Sequence, residues 1–224
     1  MKISKILTAG PASPVRALVL TAIISSCAFT SKVAAEEVIT PVQDAFVLGG
    51  NVAGELMSQN QLQVASRVNA RKTFLQFQVD ESLLRDAASA RVVLTMLGSS
   101  VISSAGESIQ PVELALSGAP GAQWDEKLLT WENAPLHDQQ STTDEGNPRL
   151  EVLALAKVDP ATAKADEKVT FSDPRLLEFL RKHQGDVTFV ITSVSPRKSA
   201  GLKFFSKEGT AKPERRPALI LGKK

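Results

Sequence analysis

The sequence predicts an all-β fold: a jelly-roll-like, two-sheet antiparallel β-sandwich of about ten strands, with one short helix near residues 174–184. Three observations carry this. Short β-rich segments recur along the chain, each bounded by clusters of Gly, Pro, Asn, Asp or Ser. Apolar and polar residues alternate within them, the pattern of strands that bury one face. One segment only has clear helical start and stop signals. Many short strands in one exported-size domain suit a sandwich.

The strands are expected at 42–48 (VQDAFVL), 62–66 (LQVAS), 72–79 (KTFLQFQV), 90–97 (ARVVLTML) and 109–118 (IQPVELALSG). They continue at 150–158 (LEVLALAKV), 168–172 (KVTFS), 186–195 (DVTFVITSVS), 202–207 (LKFFSK) and 218–221 (ALIL). In 72–79, Thr73, Leu75, Phe77 and Val79 share the inward side, and Lys72, Phe74, Gln76 and Gln78 the other. In 202–207, Leu202, Phe204 and Ser206 point inward, against Lys203, Phe205 and Lys207. The helix has Ser172 or Asp173 as N-cap, Pro174 at its first position and an apolar stripe of Leu176, Leu177 and Leu180. Arg181 and Lys182 fall in its last turn and Gly185 closes it, so it is expected to cover an end or edge of the sandwich. The stretches 99–107 and 139–147 read as polar loops, and 159–167 as a candidate helical turn.

Residues 1–35 are read apart from the fold. A basic start (Lys2, Lys5, Arg16), an apolar stretch at 17–29 and small residues Val33 and Ala35 make a secretory signal peptide, cut between Ala35 and Glu36. The apolar stretch is shorter than the roughly 20 residues of a membrane span, so no transmembrane span is expected in the mature form. A lipobox-like ISSC at 24–27 leaves lipidation of Cys27 open as the alternative. Removing residues 1–35 takes four of the 26 basic residues and none of the 24 acids. The remaining 189 residues, 36–224, have 22 basic against 24 acidic side chains, a net charge of −2, and no cysteine. That length suits a single domain burying roughly 70% of its unfolded surface, with no need of a disulfide.

The residues do not assemble an enzyme. His137 and His183 are the only histidines. His183 suits a helix C-terminus, and His137-Asp138 reads as a solvated loop pair. No G-x-S-x-G, H-E-x-x-H, Cys-x-x-Cys, phosphate loop or EF-hand spacing is present. No cofactor is expected. Calcium is the one metal considered, held by Asp44 with the nearby Gly49, Gly50 and Asn51 loop, against a bland reading of Asp44 as a turn cap. Residues 197–224 carry nine basic side chains and two acids, with a second basic cluster at Arg67, Arg71 and Lys72. This suits either solvated strand edges or a surface for a polyanion. Export argues against nucleic acid and leaves an acidic polysaccharide or cell-surface glycan.

Both tryptophans lie in one segment, WDEKLLTWENAPL at 124–136. Trp124, Glu126, Thr130, Trp131, Asn133, Ala134 and Pro135 resemble the signature of the DNRLRE domain, also classed as carbohydrate-binding module family 96. DAFV at 44–47, RKTFLQFQV at 71–79 and FFSKEGTAKPERRPALIL at 204–221 resemble that family's other landmarks, in order. Phe46, Phe74 and Phe205 stand where the family has Tyr, and Lys207 where it has Arg. The resemblance spans about 42–221 and implies a β-sandwich, an exported or surface location, and frequent attachment to polysaccharide-degrading enzymes. Some members bind alginate-like uronates. The chain departs from the pattern in lacking every family Tyr, and it is expected to stand alone, without an enzyme domain.

The expected function is therefore a secreted, non-catalytic module for an acidic, uronate-type polysaccharide. The alternative is a structural or adhesive surface protein that meets other proteins of the cell envelope. Arg67, Arg71, Lys72, Phe74, Lys203, Phe205 and Lys207 are the expected ligand residues, provided that the strands at 72–79 and 202–207 share a sheet. Trp124, Trp131, Asn133 and Pro135 are expected to be structural, with Trp131 at the start of a strand.

Overall fold

The computed structural model describes residues 35–66, 69–101, 110–194 and 200–223. Apart from Ala35, the expected signal segment and its alternative site Cys27 lie outside these residues, as does Arg67. In chain order the strands are β1 (Glu36–Ile39), β2 (Gln43–Leu48), β3 (Gln61–Val64), β4 (Arg71–Val79), β5 (Ala87–Val101) and β6 (Val112–Ala119). Then come β7 (Glu151–Val158), β8 (Lys168–Ser172), β9 (Gly185–Ser193), β10 (Ala200–Phe205) and β11 (Ala218–Lys223). Helix α1 (Glu81–Arg85) follows β4 and α2 (Pro174–Lys182) precedes β9.

The strands form two antiparallel sheets, as the alternation predicts. One runs β1-β11-β5-β10-β3, with β8 also paired to β5, and the other runs β2-β4-β9-β6-β7. Their facing sides make the main core. Leu75, Phe77 and Val79 of β4 meet Val92, Leu94 and Met96 of β5, Leu202 and Phe204 of β10, and Leu219 and Leu221 of β11. Each such side chain contributes about 1.5–3 kcal/mol on burial.

Two elements were not legible from periodicity. β1 is four residues with two glutamates, at an edge. α1 is little more than one turn after Asp80. The expected polar loop at 99–107 is also corrected at its start, since β5 runs on to Val101. The stretch 159–167 holds the expected helical turn, the Ala163 N–H donating to the Asp159 carbonyl at 2.9 Å. Helix α2 matches its signals: Asp173 Oδ1 accepts from the Arg175 N–H at 3.0 Å, and Leu176, Leu177, Phe179 and Leu180 are buried. It packs on β5 of one sheet and β7 of the other. Its Phe179 ring occupies the space a Cβ on Gly118 would need, only 2.3 Å away, so glycine in β6 permits the approach. Among the described residues no helix is long and apolar enough to cross a membrane.

A second, smaller core lies on the outer side of the five-stranded sheet. Ala45, Phe74 and Val190 stand side by side on β2, β4 and β9. Residues 120–150 cross above them and add Ala122, Leu129, Trp131 and Ala134. The face assigned to Lys72 and Phe74 by alternation is thus correct, but it is roofed and not open to solvent.

Candidate functional site

The roof is held by a buried cation. Lys72 sits in β4, on the face turned toward residues 120–150, with no exposed surface. Its Nζ lies 2.6 Å from Asp144 Oδ2, donates to the Asp138 carbonyl at 2.9 Å, and stands 4.6 Å from the centre of a Trp131 ring. His137 completes the group: Nε2 lies 2.8 Å from the Trp131 carbonyl and Nδ1 3.3 Å from Lys72 Nζ. An ammonium can only donate, so Nδ1 accepts and Nε2 carries the proton. Burial and the neighbouring Lys72 hold His137 below its usual pKa, which keeps that neutral tautomer. Burial likewise lowers Lys72, against the pull of Asp144. The expected solvated His137-Asp138 pair is therefore corrected, because His137 is buried.

The tryptophans fasten the same roof. Trp131 is buried, in a turn rather than at a strand start, and its indole lies over Gly49, where a Cβ would approach to 3.0 Å. Trp124 donates from Nε1 to Thr188 Oγ1 at 3.1 Å and meets Phe74 edge-on at 6.0 Å. Asn133 ties the turn between them: Oδ1 accepts from the Thr130 N–H at 2.7 Å and Nδ2 donates to the Leu128 carbonyl at 2.8 Å. Pro135 is half-buried, and its carbonyl accepts from the His137 N–H at 2.7 Å.

The opening, central and closing motifs meet at a second polar cluster. Asp44 of β2 is fully buried, and its Oδ2 accepts from the Lys207 N–H at 2.7 Å. Glu126 Oε2 accepts from the Asp44 N–H at 3.1 Å and from Lys207 Nζ at 2.6 Å. Lys207 Nζ also contacts Glu208 Oε1. Carboxylate oxygens of Asp44, Glu126 and Glu208 lie within 4.8 Å of one another. Burial pushes the Asp44 carboxyl up to about 8, although the Lys207 N–H works against it and Glu208 adds to the rise. Burial opposes the Lys207 ammonium, but Glu126, Glu208 and Asp44 hold it above its usual value. Sequence reasoning singled out Asp44 and missed Glu126 and Glu208 as its neighbours. The signal was available, since both acids sit inside the recurrent motifs.

The third region is the outer side of the six-stranded sheet. Register sets Val38, Ile220 and Arg91 in one row and Ala218, Val93 and Thr170 in the next, with Lys168 beside Thr95. Arg216 joins them around a groove of about 420 Å³. Farther along, Lys203 and Phe205 project from β10, with the Arg215 guanidinium 5.1 Å above the Phe205 ring. Several cations are partly committed. Arg91 pairs with Glu36 at 2.7 Å, Arg215 with Asp166 at 2.7 Å, and Lys168 donates to Thr95 Oγ1 at 2.7 Å and to the Glu214 carbonyl. Arg216 Nε has no hydrogen-bond partner among the described residues.

The expected ligand residues are thus dispersed. β4 and β10 belong to different sheets, because β10 pairs with β3 and β5. Lys72 and Phe74 are sealed under residues 120–150, Arg71 is half-buried at the start of β4, and Lys207 is turned into the acidic cluster. Of the expected residues that are described, Lys203 and Phe205 alone remain on the outer face of one sheet. Residues 35–150 match the family model of carbohydrate-binding module family 96. No curated protein matches the chain.

Proposed function

The chain belongs to carbohydrate-binding module family 96, and from that premise we propose that it is an exported module, residues 36–224, that binds an acidic, uronate-type polysaccharide on the outer side of its six-stranded sheet. Modules of this class bind carbohydrate and are non-catalytic. One observation carries the choice of ligand and face: basic heads surround an apolar floor there. Arg91, Lys168 and Arg216 ring Val38, Val93 and Ile220. A uronate has a carboxylate for the cations and an apolar ring face for the floor. The exposed Arg91–Glu36 pair is worth about 0–1 kcal/mol, so an incoming carboxylate can displace it. Phe205 under Arg215 extends the same chemistry along the sheet.

The test is calorimetric titration of the secreted protein with polyuronate and with a neutral polysaccharide of similar length. Binding of the polyuronate alone, weakening with salt, is expected. Equal binding of both removes the acidic ligand but keeps the module. Binding of neither favours the structural or adhesive alternative. N-terminal sequencing of the exported product, with Glu36 expected first, tests processing; a lipidated Cys27 would tether the module to a membrane instead.

A further inference from the structure

We propose that Asp44, Glu126 and Glu208 form a calcium site that exchanges the Lys207 ammonium for the metal. The inference is independent of the glycan reading. Three observations support it. The carboxylate oxygens lie within 4.8 Å of one another, the greatest distance two ligands can span about an ion with bonds of about 2.4 Å. Asp44 is fully buried, yet among the described residues its Oδ1 has no hydrogen-bond donor. A buried carboxylate oxygen without a donor is destabilising, and a cation placed against it removes that cost. Finally, three carboxyl groups converge on a single ammonium at close range.

Lys207 is the group that would give way. Its side chain keeps 17% exposure, and Glu208 keeps 37%. A lysine head on a flexible stem can turn out to water and stay protonated there. Calcium in its place would bridge β2, the Trp124–Trp131 segment and the chain leaving β10, with water completing the shell on the Glu208 side. Hard oxygen ligands favour calcium over softer metals. Magnesium demands near-ideal octahedral geometry and dehydrates reluctantly, which favours calcium.

The experiment is thermal denaturation of chelator-treated protein titrated with CaCl2, with MgCl2 and NaCl as controls. A saturable rise in Tm is expected with calcium, with a midpoint of about 0.1–1 mM as in other extracellular modules, and a smaller rise with magnesium. Asp44→Asn and Glu208→Gln should each abolish it. Glu208 is exposed, so its variant folds even where Asp44→Asn does not. Lys207→Gln should retain the rise and move the midpoint to lower calcium. No saturable rise in the wild type overturns the site, as does a rise that persists in Glu208→Gln.

Discussion

Lys72 and Asp144 form an ion pair of 2.6 Å in which the side chains are 0% and 3% exposed. Lys72 belongs to a strand and Asp144 to the long crossing segment. Asp144 has a left-handed backbone, with φ of 57°, and Oδ1 also accepts the Asp138 N–H. The pair therefore clamps residues 120–150 onto the sheet.

Removing one partner leaves the other buried and uncompensated, which typically costs about 3–5 kcal/mol. Lys72→Met should fall in that range by urea denaturation. Lys72→Met combined with Asp144→Asn should cost clearly less than the two single changes added together. Additive losses would show that the pair is not coupled.

Gly49 is the seat of Trp131. A methyl there would press on the indole at 3.0 Å, and overpacking of this kind costs about 1–3 kcal/mol. Gly49→Ala should lower Tm, whereas Trp131→Ala should cost about 3–5 kcal/mol through lost burial. In the double variant the Gly49 change should cost almost nothing, because its clash partner is gone. A full Gly49 penalty in the Trp131→Ala background would place the strain elsewhere.

His137 predicts a pH dependence. Its pKa is depressed in the folded protein by burial and by Lys72, so the unfolded chain takes up the proton first. Stability from this group is complete above the unfolded value of about 6.5 and declines as pH falls below it. The groups facing it are Lys72, Asp144 and Arg149. Asp44, whose raised carboxyl acts in the opposite sense, is common to both proteins in a comparison with His137→Gln. Between pH 7 and pH 5 the wild type should lose stability relative to that variant. Parallel pH profiles would mean that His137 titrates normally.

Strand positions and inward faces were legible because alternation records which side is dry. Leu75, Phe77, Leu202 and Phe204 all lie in the main core as alternation requires. What alternation cannot record is what covers the second side of a sheet. Lys72 reads as a solvent residue, yet its partners Asp144, His137 and the Asp138 carbonyl lie 65 or more positions away. Sheet membership was hidden for a similar reason: β4 and β10 have similar patterns, and pairing is decided by topology. The three-motif cluster was half visible. Asp44 stood out by residue type, but its contacts with Glu126 and Lys207 span 82 and 163 positions.

The two lysines at the end of β10 should separate binding from stability. Lys203 stands on the open face with Phe205, while the Lys207 ammonium lies against Glu126 and Glu208. Polyuronate contacts on an exposed face are screened over about 8 Å at physiological ionic strength. Lys203→Ala and Arg216→Ala should therefore weaken polyuronate binding at low salt, with a smaller difference at high salt, and leave Tm nearly unchanged. Lys207→Ala should lower Tm in calcium-free buffer, because it strips the counter-charge from a partly buried cluster, and should leave polyuronate affinity within about twofold of wild type. That limit corresponds to roughly 0.4 kcal/mol. Titration and thermal denaturation of the three variants decide the matter. If Lys207→Ala alone abolishes binding, the ligand sits at the acidic cluster's edge, and the outer sheet face is not the site.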